Sequence, residues 1–174
     1  MSFFIVDVES DGPAPGLYSM VSFGAVKVDA TLTTTFYGRT RPVSEKWLPD
    51  ALAISGISRE QHMLYDSPQS VMSEFAAWLK QHSAGRPIFF SDNVAFDWQF
   101  INYYFHAFAE GNPFGYSGRR IGDLYSGLVK NLSAASEWKK LRRTPHTHNP
   151  VDDAKGNAEA LIAFCREYDL RLPK

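Results

Sequence analysis

The segment Phe3-Phe4-Ile5-Val6 is continuously apolar, rich in strand formers, and stops at the acids of Asp7-Val8-Glu9. A strand with no polar side has no solvent face, so Phe3 to Asp7 reads as a buried strand with layers packed above and below it. Val21, Phe23 and Ala25 alternate with Ser22 and Gly24, giving a second strand from Met20 to Val28. After a polar turn at Asp29 and Ala30, Thr33 to Tyr37 reads as a third. The period then lengthens. Ser67 to Gln81 carries Val71, Phe75 and Leu79 at helical spacing, with Ser67-Pro68 as cap and first residue. Pro87 to Ser91 reads as a fourth strand and Val94 to Phe108 as a helix. Gly111 to Gly118 is a loop, Ile121 to Leu124 a short fifth strand, and Val151 to Tyr168 a final amphipathic helix. This order implies an α/β fold, a mixed five-stranded sheet flanked by helices, in one domain over residues 1–174.

Composition narrows the function classes. A hydrophobic fraction of 44% and a charged fraction of 21% are those of an ordinary soluble domain. The formal net charge of −1 supplies no global basic field for holding duplex nucleic acid, but it leaves room for an enzyme whose bound cations offset a cluster of acids. Cys165 is the lone cysteine, which excludes an intrachain disulfide and a cysteine-rich zinc site. The apolar start has no basic residues before it and is too short to span a bilayer, so a cytoplasmic protein without a membrane partner is expected.

Three separated segments carry acids on the right kinds of structure. Asp7 and Glu9 lie two apart in a strand and point to one face, where like charges are unfavourable unless something positive sits between them. Asp97 shares its helix side with Phe100, Ile101, Tyr104 and Phe108, so a carboxylate stands at the head of a core-facing stripe. Of the adjacent Asp152 and Asp153, the first shares a side with Lys155, Glu159 and Arg166, a solvent face. Asp153 sits with Gly156, Asn157, Ala160, Leu161 and Phe164 and is the inward acid. His148 precedes it by five residues.

These segments resemble the DEDDh branch of the DEDD 3′→5′ exonuclease superfamily, which includes RNase T, oligoribonuclease and the proofreading subunit of bacterial DNA polymerase. Asp7-Val8-Glu9 matches the first motif, Asp-x-Glu. Ser91 to Asp97 is similar to the second, with Asn93 and Phe96-Asp97 in the family's places, and His148 to Asp153 matches His-x4-Asp. Ile54-Ser55-Gly56-Ile57-Ser58 resembles a further family segment. Val8 and Asp92 depart from the commoner threonine and histidine, but no metal ligand is lost. The resemblance implies a ribonuclease H-like fold, with Asp7, Glu9, Asp97 and Asp153 holding two Mg²⁺ or Mn²⁺ ions and His148 as general base. Oxygen-only ligands suit such hard cations rather than zinc.

The implied substrate is single-stranded nucleic acid with a free 3′ end. RNA is slightly favoured because no polymerase or helicase domain accompanies the chain. The alternatives are a DNA 3′→5′ exonuclease and a catalytically inactive nucleic-acid-binding module. Asn93, Phe96, Trp98 and Trp138 are candidate substrate contacts, the two tryptophans as stacking platforms. Arg142 and Arg143, in the basic run from Lys139, are candidates for phosphate contacts. The aromatic stretch Tyr103 to Phe108, with Phe114 and Tyr116, could serve a homodimer.

Overall fold

The computed structural model describes residues 1–172, so positions 173 and 174 of the expected domain lie outside the described residues. Strands β1 (Ser2–Ser10), β2 (Met20–Lys27), β3 (Thr35–Arg39), β4 (Pro87–Ser91) and β5 (Gly118–Arg120) form one sheet in the order β3-β2-β1-β4-β5. The β1–β2 and β2–β3 pairs are antiparallel; β1–β4 and β4–β5 are parallel. β1 is therefore the central strand, as its unbroken apolar run requires. The observed β3 begins two residues later than the alternation suggested.

Both faces are covered. Phe4, Val6, Phe23 and Ala25 pack against α3 (Pro68–His82) and α4 (Val94–Phe108) through Phe75, Leu79, Phe100 and Tyr104. Ile5, Val26 and Phe90 pack on the other side against α6 (Pro150–Glu167), through Ala154, Ala158, Leu161 and Phe164. Helix starts follow the expected chemistry. Ser67 accepts the Ser70 N–H at 3.2 Å ahead of Pro68, and Asn149 caps α6 by accepting the Val151 N–H at 3.0 Å. Two short helices, α1 (Pro49–Ile54) and α2 (Arg59–Met63), precede α3.

Ile121 to Leu124 is not a strand. Helix α5 runs from Ile121 to Leu128, and the fifth strand is the preceding Gly118–Arg120. Ile121, Leu124, Tyr125 and Leu128 recur at helical spacing, while Arg119 and Arg120 are exposed on a short, charged sheet edge. Tyr104, Phe105 and Phe114 are in the core, leaving Tyr103 and Tyr116 exposed from the stretch read as a dimer face. Among the described residues, no helix is long and apolar enough to cross a membrane.

Gly24 fixes how closely α6 approaches the sheet. It pairs with Asp7 across β1–β2, and a Cβ there would strike the Pro150 carbonyl and the Val151 nitrogen at the start of α6. Gly24→Ala is expected to push that helix start off the sheet and destabilise the protein by ~1–3 kcal/mol, the usual cost of overpacking. A denaturant titration checks this; unchanged stability would show that α6 does not depend on this close approach.

Candidate active site

Ile5, Asp7 and Glu9 form one row of β1, and Ile5 marks its direction because it packs on the α6 side of the sheet. The apolar part of that row is sealed by α6, and the two carboxyls emerge where the helix begins. The β1–β2 register shifts between Glu9 and Ser10, an irregularity of the kind that re-aims side chains at sheet ends. Asp153, in the first turn of α6, is fully buried and meets them: one carboxylate oxygen each from Asp7, Glu9 and Asp153 lie within 4.8 Å of one another.

Asp153 is also the anchor of the preceding loop. Its two oxygens accept the backbone N–H groups of Thr147 and His148, each at 3.0 Å. Arg142 donates to the Asp153 backbone carbonyl at 2.9 Å and lies 3.5 Å from its carboxylate. His146 Nδ1 stands 2.8 Å from the other oxygen. His148 has a left-handed backbone, with φ of 59°, which is costly for a residue with a Cβ and persists only where its surroundings hold it. Its ring projects to solvent with Nδ1 3.5 Å from Glu9. Glu159, six residues beyond Asp153 on α6, ties down the rest of the loop by accepting the N–H groups of Arg143 and Thr144 and the Thr144 hydroxyl, at 2.9, 2.7 and 3.0 Å.

Asp97 comes from the first turn of α4. Its Oδ1 accepts the Val8 N–H at 3.1 Å, which ties the helix to the strand between Asp7 and Glu9. It is buried and lies beside the three-acid group without belonging to it. The loop after β1 is fastened separately. Asp11, fully buried, accepts the Ser19 N–H at 2.6 Å and pairs with Arg59 at 2.8 Å, and Arg59 also donates to the Ser44 carbonyl.

The acids are held at high electrostatic cost. Burial, then the charges of Asp97, Glu9 and Asp153, push the Asp7 carboxyl well above the usual carboxylate range, against a lowering influence from Arg142. Burial and the Asp153 charge raise Glu9 to about 7. Burial raises Asp97 to about 8 despite the Val8 hydrogen bond. Like charges gathered in a poorly solvated place ionise together only beside a positive charge. Arg142 is the guanidinium nearest the group, and it is already engaged by Asp153. The oxygen-only donor set and the suppressed ionisation fit a divalent cation.

Of the expected substrate contacts, Trp138 is corrected. It is fully buried, with its indole N–H on the Ala135 carbonyl at 3.0 Å, so it stacks on no base. Trp98 is partly buried, edge-on to Phe89 at 5.1 Å, and serves the core. Phe96 is partly buried against Phe100, and Asn93 is exposed at the cap of α4. The basic run splits. Lys139 pairs with Asp92 at 2.5 Å, Arg142 turns inward over Gly156, and Arg143 is exposed. A cleft of about 470 Å³ runs beside the acids, lined by Asp7, Asp92, Lys139, Arg142, Arg143 and His146 among others. A larger one, about 1290 Å³ between α3 and the end of α4, contains none of them.

Sequence reasoning missed His146 and Glu159. The His-x-His spacing was a signal for the first. Glu159 was assigned to the solvent face of α6, but it is buried because the loop folds back over it.

The RNase T exonuclease family model matches residues 4–161. The 3′–5′ DNA exonuclease Cap18 of Escherichia coli is 36% identical over 166 residues, covering 90% of this chain and 88% of its own. Among solved structures, the nuclease domain of 3′hExo, a DEDDh family member bound to rAMP, matches with a TM-score of 0.77 at 19% identity, over 99% of this chain and 96% of its own. Escherichia coli exonuclease I in complex with a dT13 oligonucleotide matches with a TM-score of 0.71 at 16% identity, over 97% of this chain, which spans 42% of that protein's length. The fold is ribonuclease H-like.

Glu9 and Asp97 hold protons more tightly in the folded chain than at their ordinary values of 4.5 and 3.8. In metal-free protein their stabilising contribution is present below those values and is lost as pH rises through about 7 and about 8. A bound divalent cation opposes that loss. Adding Mg²⁺ is expected to raise the melting temperature more at about pH 8 than at about pH 6. Thermal unfolding with and without the ion checks this, and a shift independent of pH would contradict it.

Proposed function

Since the chain belongs to the RNase T exonuclease family, we propose that it removes nucleotides from the 3′ end of single-stranded nucleic acid by metal-assisted hydrolysis. The observation that carries this reading is the convergence of the Asp7, Glu9 and Asp153 oxygens within 4.8 Å of one another, with His148 3.5 Å from Glu9. Asp7, Glu9 and Asp153 would hold one Mg²⁺ or Mn²⁺, and Asp7 with Asp97 would contribute to a second. When bound, such a pair lowers the pKa of an attacking water and offsets charge on the leaving oxygen.

The chain's own residues supply the remainder. Asp153 holds the His148 backbone in place, so the imidazole stands at the rim of the acid cluster, where it can take the proton of an attacking water. Glu159 and Arg142 keep the loop against α6, which limits the positions that imidazole can occupy. Lys139, paired with Asp92, and Arg143 line the cleft beside the acids and are the proposed phosphate contacts of the strand. Asn93 and Phe96, at the start of α4, are proposed contacts for the terminal nucleotide.

We take DNA as the substrate. The slight preference for RNA drew on which other domains accompany such a chain, and that does not bear on the sugar. The 36% identical relative is a DNA exonuclease by name. Recognition of a 2′-hydroxyl is a matter of local contacts, so the two sugars must be compared directly.

Single-stranded DNA and RNA oligonucleotides labelled at either end, digested with Mg²⁺ or Mn²⁺ and with EDTA, test this reading. The expected result is a ladder from 5′-labelled DNA, early release of label from 3′-labelled DNA, slower attack on RNA, and silence in EDTA. Internal cleavage, or activity in EDTA, would overturn it. His148→Ala is expected to lower turnover about 10²- to 10⁴-fold, the usual worth of a general base, with Mg²⁺ and oligonucleotide binding retained. Near-native turnover in that variant would remove His148 from the mechanism.

A further inference from the structure

The exonuclease reading accounts for His148 and Asp153 but gives no task to His146. This second imidazole lies in the same loop, 52% exposed, with Nδ1 2.8 Å from Asp153 and its ring centroid 4.3 Å from that of His148. One ligand atom each from His146, His148 and Asp153 lie within 4.8 Å of one another. Two imidazoles and a carboxylate differ in kind from the all-oxygen group of Asp7, Glu9 and Asp153. Nitrogen donors suit Zn²⁺ and its neighbours in the transition series, whereas Mg²⁺ prefers oxygen and keeps its waters.

We propose that His146, His148 and Asp153 form an inhibitory site for a borderline cation such as Zn²⁺, overlapping the acid cluster through Asp153. Four-coordinate zinc places its donors about 2.0–2.2 Å from the metal, so ligand atoms end up roughly 3.3–3.5 Å apart. One pair of the triad is already closer than that, and the rest is within reach of ring rotation, since both imidazoles are about half exposed. The backbone beneath them is fixed. Asp153 accepts the Thr147 and His148 N–H groups, and Glu159 holds residues 143 and 144, so little ordering remains for the cation to impose.

Occupation of this site and catalysis exclude each other for a geometric reason. Asp153 belongs to both donor groups, and His148 cannot accept a proton while its nitrogen binds a metal. Zinc held here therefore silences the proposed base and competes for one acid of the hydrolytic cage. Only this consequence rests on the exonuclease reading; binding at the triad stands on its own geometry.

The test measures Zn²⁺ binding to substrate-free protein by calorimetry, in the full chain and in the His146→Gln and Glu9→Gln variants. Co²⁺ serves as a spectroscopic stand-in. His146→Gln is expected to weaken Zn²⁺ binding about tenfold or more, as loss of a metal-site group commonly does, and to abolish the visible band of nitrogen-ligated Co²⁺. Its Mg²⁺ affinity should not fall. Glu9→Gln, which damages the all-oxygen group and leaves the triad intact, should keep the Co²⁺ band. In the digestion assay with Mg²⁺, micromolar Zn²⁺ should inhibit the wild-type chain, and His146→Gln should need about tenfold more. Equal Zn²⁺ affinity in the wild-type and His146→Gln chains would place zinc among the acids alone and overturn the proposal, as would absence of Zn²⁺ binding in the wild type. A protein that binds zinc at the triad but digests nothing would overturn the exonuclease reading and leave the site standing.

Discussion

Carboxyls that repel one another at the end of a buried strand are the constraint around which this molecule is arranged. Asp7 and Glu9 extend the row of Ile5, and Asp153 is delivered opposite them by a helix that the same row helps to bury. No hydrophobic gain follows from gathering these groups, and their ionisation is suppressed as a result. A fold retains such a cost where the charge is needed for chemistry, and at other sites mutation removes it.

The apolar layers supply the stability that offsets this cost, and glycines set the distances. Gly24 lets the first turn of α6 rest on β2 beside Asp7, and Gly156 lets Arg142 and the Thr144 carbonyl lie against the helix. Arg142 then steadies Asp153 from behind, and Asp153 steadies the backbone of His148. Distant segments of the chain thus meet through a short sequence of contacts: strand acid, helix acid, loop backbone, imidazole. Asp97 joins from α4 through the Val8 N–H, so the parallel side of the sheet is tied to the same point.

Much of this was legible in the residues. The continuous run of Phe3 to Val6 announces a central strand, and the stripe of Phe100, Ile101 and Tyr104 places Asp97 beside the core. The small residues following Asp153 identify it, rather than Asp152, as the inward acid. Other features depend on what tertiary structure brings together. Trp138 reads as an exposed aromatic in a basic run, yet it is buried beside Ile121 and Gly122 of α5, on a short 3₁₀ turn. Glu159 reads as solvent-facing because helical periodicity says nothing of a loop folding over that face. Ile121 to Leu124 reads as a strand because four residues are too few to establish a period, and only Tyr125 and Leu128, at helical spacing from Ile121, decide for the helix.

The most direct test of the central claim is a crystal structure of the protein soaked in Mn²⁺, with anomalous diffraction recorded at the manganese edge. The account predicts anomalous density between the carboxylates of Asp7, Glu9 and Asp153, with Asp97 turned toward the same point. Density elsewhere only, or a lysine or arginine side chain filling that space, would contradict it.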